Sequence, residues 1–329
     1  MTEATMHEID RIIQAVQSVI DAGKRGIVVT IIATRGSTYR RAGARAVIAE
    51  DGESFGTISG GCLERDLGER ARALLEDFRP RVITYDASRA DDVIFGLGLG
   101  CRGETEMLVE PFDREHPPGI LDFRWNGRQP VEWKTGEHLV EVIRPPRAVL
   151  IFGGGRDVEP VARIAEQIGW NATIVGPRQP FDPTLYDAAV IMTHNFMQDL
   201  ELLEALLPSP IAYLGLLGPK SRGDDLLARA GLPAGRLQYP IGLDLGAETP
   251  EEIALSIVAE IQAALSERSA RPLGAAGGPI HSPAAGRGRP TGAGGTPALL
   301  KTSSAAPLSD SARRDSDRIP TPAPPADRR

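Results

Sequence analysis

From Ala148 onward the chain alternates short aliphatic runs with stretches of helical length: Ala148–Phe152, Val158–Ile168, Ala172–Val175, Ala188–Thr193, Met197–Leu207 and Ile211–Leu214. Strands this continuously apolar need cover on both faces. Helices placed between successive strands supply that cover when the strands run parallel. The pattern therefore predicts a doubly wound parallel sheet over residues 148–268. Its closing helix, Pro250–Leu265, announces itself through Thr249-Pro250-Glu251-Glu252, a capping box with proline at the first helical position.

Residues 1–111 read as a smaller α/β domain. Ile9, Ile12, Ile13, Val16, Val19 and Ile20 recur at helical spacing, and Gly23 ends that helix. A strand at Ile27–Ile32 leads into a polar loop through Gly36, Ser37, Thr38, Arg40 and Gly43. A hairpin of Arg45–Ala49 and Ser54–Ile58 turns at Asp51-Gly52. Leu63–Asp77 reads as a helix, and Arg81–Tyr85 and Glu104–Glu110 as strands. Residues 112–147 read as a linker rich in Pro, Gly and charge, with a small β excursion at Val131–Trp133 and Leu139–Ile143.

Composition breaks near residue 270. From Arg271 there are 10 Pro and 8 Gly in 59 residues, with few large apolar side chains. Such a stretch buries too little to offset its conformational entropy, so residues 269–329 are expected to be a disordered Pro/Gly/Arg-rich tail. Nine Lys and Arg against four Asp give the residues from 271 on a charge of +5, leaving −12 for the rest of a chain whose net charge is −7. An acidic body disfavours nucleic acid and anionic membrane as general partners. The longest clearly apolar run, Ile27–Ala33 with Thr30 inside it, falls far short of the roughly 20 residues of a membrane span. The start of the chain lacks the basic and apolar regions of a signal peptide. Two cysteines, Cys62 and Cys101, build neither a disulfide framework nor a four-thiolate zinc site. A soluble, cytoplasmic protein is expected.

Five segments have the chemistry of a site. In Thr57-Ile58-Ser59-Gly60-Gly61-Cys62-Leu63-Glu64 a strand ends in a Gly-Gly turn and feeds a helix. Glycines let backbone N–H groups approach a ligand, and a helix N-terminus suits phosphate or a thiolate. A buried structural cysteine beside a plain turn is the competing account. Gly96-Leu97-Gly98-Leu99-Gly100-Cys101-Arg102-Gly103 places the other cysteine in a second glycine-rich loop. If the two loops converge, soft sulfur donors flank one pocket.

The turn Phe152-Gly153-Gly154-Gly155-Arg156-Asp157-Val158 resembles a Rossmann fingerprint in part. Val158 stands where a third small residue belongs, and the next strand ends in Gly176-Pro177-Arg178 without the acid that holds a ribose. Asp157 and Glu159 add negative charge at the helix start, against a pyrophosphate. An NAD(P)-dependent oxidoreductase using Gly153, Gly155 and His194 is the rival reading of this half. His194 ends the third strand of the sheet, and Gly218 and Lys220 bring a glycine and a cation to the next strand end. No nucleophilic-serine elbow, P-loop or paired-carboxylate hydrolase pattern is present.

In these motifs, taken together over about residues 8–265, the chain resembles the xanthine dehydrogenase accessory family, XdhC/CoxI. The resemblance rests on Arg35-Gly36-Ser37-Thr38-Tyr39-Arg40, Ser59-Gly60-Gly61-Cys62-Leu63-Glu64, Gly98-Leu99-Gly100-Cys101, the Gly153 loop, Thr193-His194, Tyr213-Leu214-Gly215-Leu216-Leu217-Gly218 and Pro240-Ile241-Gly242-Leu243-Asp244-Leu245-Gly246. It implies a Rossmann-like second domain and a chaperone for molybdenum cofactor (molybdopterin). Such a protein assists sulfuration by a cysteine desulfurase and delivers the cofactor to the large subunit of a xanthine-dehydrogenase- or CO-dehydrogenase-type molybdoenzyme; a homodimer stays open. The implied site has Cys62 as thiolate ligand or sulfur relay and Cys101 as a second sulfur. Glu64 tunes it, and Ser59, Gly60, Gly61, Gly98, Gly100, Gly153, Gly155, Arg156, His194, Gly218 and Lys220 contact the cofactor. Arg156, Gly176, the Pro219-Lys220 pair and Arg102 depart from the family pattern.

Overall fold

A computed structural model of the chain describes residues 7–86, 103–176 and 178–275. The expectations for Gly98, Gly100 and Cys101, and for all of the tail beyond residue 275, fall outside the described residues.

Helix α1 (Glu8–Asp21) starts where His7 Nδ1 accepts from the Ile9 N–H at 3.3 Å, and buries the stripe Ile9, Ile12, Val16 and Val19. Strand β1 (Gly26–Gly36) sends alternate side chains to opposite faces. Ile27, Val29 and Ile31 pack with the helix Cys62–Asp77, here α2, while Val28 packs with α1. Cover on both sides explains why β1 reads as a mostly apolar run, interrupted by buried Thr30. It lies at the centre of an antiparallel sheet ordered β3-β2-β1-β5-β4, with β2 (Arg45–Ala49), β3 (Ser54–Gly56), β4 (Arg81–Asp86) and β5 (Gly103–Phe112). On the α1 face, residues 112–147 contribute buried Ile120, Phe123 and Ile143. The hairpin β6 (Val131–Thr135) and β7 (Leu139–Ile143) is tied to β2 by buried Arg45, which donates to Glu141 and to Thr135 Oγ1.

The second sheet is parallel throughout. Its order is β12-β11-β10-β8-β9, from β8 (Ala148–Phe152), β9 (Asn171–Val175), β10 (Ala188–Ile191), β11 (Tyr213–Leu216) and β12 (Leu237–Gln238). Helices α3 (Val158–Gln167) and α6 (Pro250–Leu265) cover one face, and α4 (Phe196–Leu206) and α5 (Lys220–Ala230) the other. The predicted capping box of α6 is present: Thr249 Oγ1 accepts from Glu252 N–H at 3.3 Å, and Glu252 returns an acceptor to Thr249 N–H at 3.0 Å. Helix α5 and strand β12 go beyond the elements that the sequence pattern predicts. Helix α5 buries only Gly223, Leu226 and Leu227 behind a polar opening, and β12 is two residues long, so neither carries a strong period.

The chain passes from β8 outward to β9, then returns to β10 on the other side of β8. The carboxyl ends of β8 and β10 stand level, with Phe152 opposite Ile191. Open α/β sheets place their ligand crevice at such a reversal. Among the described residues no helix is long and apolar enough to cross a membrane.

Candidate functional site

Five residues separate β3 from α2, and one buried carboxylate organises them. Gly56 enters the turn at φ 76°, where an added Cβ would lie 2.6 Å from Arg45 O, so only glycine fits. Gly61 caps α2 at φ 106° without a side chain to do it. Ser59 does the capping instead: its Oγ accepts from the N–H groups of Gly61 and Leu63, both at 3.1 Å, and donates to Glu64. Glu64 Oε1 accepts from the N–H groups of Ile58 and Ser59, each at 2.8 Å. Burial pushes the Glu64 carboxyl upward, but the bonds from the Ser59 hydroxyl and the backbone N–H groups outweigh it, so its pKa lies below the ordinary value. Both carboxylate oxygens are thus spent on the turn. The N–H groups of Gly60 and Cys62 have no acceptor among the described residues.

An open cavity of about 770 Å³ lies beside this turn, lined by Ser59, Gly60 and Gly61, by Arg65 and Glu69 of α2, and by Tyr39 from the loop after β1. Five of its lining residues are glycines, which lets backbone approach an occupant closely. Cys62, half-buried with a free thiol, opens α2 next to Gly61 but does not itself line the cavity. Its spacing to Arg65 and Glu69 puts the three on one stripe of the helix. Among the described residues no cluster of three or more His, Cys, Asp or Glu is placed to hold a metal ion.

The residues expected in the parallel-sheet half gather elsewhere, at its carboxyl edge. Gly153 is a packing glycine: an added Cβ would lie 2.6 Å from Val158 Cγ1 and 2.8 Å from Met192 O. At Gly155 the same atom would collide with Asp157 Oδ1, so that carboxylate stands over the turn. Asp157 is held by His194 from the neighbouring strand end, Nε2 to Oδ2 2.8 Å, with His194 in the left-handed region at φ 57°. Arg156 is exposed beside them. Gly218 takes φ 136°, and Lys220 is the exposed first residue of α5. Behind His194, buried Asp199 accepts from Thr193 Oγ1 and from Arg222 Nε and Nη2, the latter two at 3.2 and 2.6 Å. Among the described residues no hydrogen bond or ion pair links these groups to the cavity beside α2.

Several lining residues carry no signal of their own in the sequence. Arg65, Gly68 and Glu69 are hidden in a helix, although their spacing from Cys62 is readable. Tyr39 stands inside a motif without a role of its own. Asp157 reads in sequence only as a charge repelling phosphate, whereas its contact with His194 depends on two neighbouring strand ends.

Comparison with known proteins bears on both sites. A family model described as the XdhC Rossmann domain matches residues 149–261, and one described as the XdhC and CoxI family matches residues 19–86. A Bacillus subtilis protein named as a probable subunit of xanthine dehydrogenase is 26% identical, over 74% of this chain and 94% of its own length. An Escherichia coli protein named molybdenum cofactor insertion chaperone is 26% identical over 73% of this chain and 83% of its own. A Bacillus halodurans crystal structure described as a xanthine dehydrogenase aligns with a TM-score of 0.64 at 29% identity, covering 78% of this chain and 96% of that one. The two family matches take in the Ser59–Cys62 turn and the switch-point loops in the order found here, and on that ground the chain belongs to the XdhC and CoxI family.

Proposed function

We propose that the chain binds molybdenum cofactor as cargo, assists its sulfuration by a cysteine desulfurase, and inserts it into a xanthine-dehydrogenase- or CO-dehydrogenase-type molybdoenzyme in the cytoplasm. The observation that carries this reading is the Ser59–Cys62 turn, fixed by Glu64 at the wall of a glycine-lined cavity. The chemistry of the donors fits. Molybdenum already held by dithiolene sulfurs accepts a further soft ligand, which the Cys62 thiol offers. Anionic oxygens of the cargo suit the unclaimed N–H groups of Gly60 and Cys62 at the start of α2. Two relatives' names, one a molybdenum cofactor insertion chaperone and one a xanthine dehydrogenase subunit, support the same role. Holding and release of cargo need no acid–base pair in the cavity, and Glu64 is engaged in positioning the turn.

The test is to purify the full chain from cells that make the cofactor and measure bound molybdopterin by the fluorescence of its oxidised pterin. Cys62→Ala is expected to lower the content at least about tenfold, the loss of roughly 1.4 kcal/mol of binding. Equal content in the two proteins would remove Cys62 from the site, and none in the wild type would remove the cargo.

At the switch point, calorimetric titration with NAD or NADP is expected to give no saturable heat. The Asp157 carboxylate covers the Gly155 turn, where a dinucleotide would bring its own negative charge. Saturable binding abolished by Gly155→Val would reverse that expectation.

A further inference from the structure

Two glycines in the cavity wall answer to no need of the chain's own fold. Gly68 sits inside α2, where glycine weakens a helix relative to alanine. A Cβ built there would meet only Ile48 Cγ2, in ordinary contact at 4.0 Å. Gly60 has no positive φ, and a Cβ there would meet nothing within 4 Å. Gly56 and Gly153, by contrast, are compelled by backbone or neighbours closer than 3 Å. What Gly60 and Gly68 keep clear is therefore space on the cavity side. Three side chains lining that space, Tyr39, Arg65 and Glu69, also have no partner among the described residues. Arg65 and Glu69 stand four residues apart, the spacing at which neighbouring Asp66 and Arg70 pair at 3.0 Å, yet they form no ion pair with each other.

We infer that the cavity seats the pterin and phosphate of the cargo, with Gly68 opening the helix surface on which the flat ring lies. Tyr39, 57% exposed, supplies an aromatic face for stacking. The Glu69 carboxylate accepts from the ring's amino and N–H edge, and Arg65 meets the phosphate. The order along α2 suits the ligand: Cys62 for the metal end, Arg65 for the phosphate beside it, Glu69 for the far edge of the ring. From Cys62 to Glu69 the helix advances roughly 10 Å, comparable to the length of a pterin carrying its dithiolene. This inference rests on the cargo reading above but concerns other residues, so the two can fail separately.

The experiment again uses the full chain purified from cofactor-producing cells, with Cys62 intact, and reads both pterin fluorescence and melting temperature. Gly68→Ala is expected to melt higher by roughly 2 °C, since alanine favours the helix, while holding several-fold less pterin. Gly68→Leu, which fills the seat, is expected to lower pterin more than about tenfold, and Glu69→Gln to lower it with the melting temperature unchanged. A merely structural glycine would not raise stability and lower occupancy together. Wild-type pterin content in Gly68→Leu overturns the seat and leaves the cargo reading standing; if that variant does not accumulate folded, wild-type content in Gly68→Ala does the same. A wild type without pterin overturns both.

Discussion

Glu64→Ala is expected to destabilise the chain by about 3 kcal/mol and to abolish retention of the cargo. Three donors lose their acceptor at once: the N–H groups of Ile58 and Ser59 and the Ser59 hydroxyl, all buried. Each buried donor left unmade costs roughly 1–3 kcal/mol, and partial access to water lowers the sum. The Ser59 hydroxyl then no longer has a fixed orientation from which to accept Gly61 and Leu63 N–H, so the helix cap loosens as well. Glu64→Gln keeps the shape but offers one acceptor oxygen in place of two, and should lose about half as much. Urea unfolding of the three proteins checks the order. Equal midpoints would show that the turn does not depend on this carboxylate.

The same residue sets a dependence on pH. Because Glu64 has a lowered pKa in the folded chain, its contribution is complete above the ordinary value of 4.5 and is lost as pH falls through the lowered one. The wild type should therefore lose stability relative to Glu64→Gln as pH falls below about 4.5, with no difference in slope at neutral pH.

Asp199→Ala is the larger disruption of the parallel-sheet half, at about 3–5 kcal/mol. The carboxylate is buried at 1% exposure and holds Arg222 from α5 and Thr193 from the end of β10. Its removal leaves a guanidinium, itself mostly covered, without a counter-charge, which costs far more than the pair contributes when intact. Thr193 precedes His194, so the strand end that brings His194 to Asp157 should lose order as well. A double variant, Asp199→Leu with Arg222→Met, removes both charges and is expected to recover most of the stability. Calorimetric melting of the single and double variants decides the matter, and a double variant no better than Asp199→Ala would count against a charge-burial origin.

The legible part of this protein was local. Alternation of apolar strand and helix over residues 148–214 determined a parallel doubly wound sheet, because a strand buried on both faces and a helix amphipathic on one leave few other arrangements. Thr249 to Glu252 determined the start of α6, since a capping box is complete within four residues. Ser59 to Glu64 marked a turn into a helix because glycine, serine and acid act there within six positions.

What depended on chain segments distant in sequence was not legible. The antiparallel order β3-β2-β1-β5-β4 follows from which edges pair, and alternation is the same for any pairing partner. The short α5 and β12 are held by Leu226, Leu227 and Leu237 in a core assembled from three other strands and a helix, which compensates for a weak local pattern. Tyr39 reaches the cavity from a loop well before the turn it faces, and His194 reaches Asp157 across the strand reversal. The kinds of elements and the residue types at each turn follow from local pattern alone, because backbone propensity and hydrophobic period act over a few residues. Which glycines are compelled and which leave room for a ligand emerges in the folded chain, because it depends on whether a neighbour from elsewhere in the sequence occupies the space a Cβ would take.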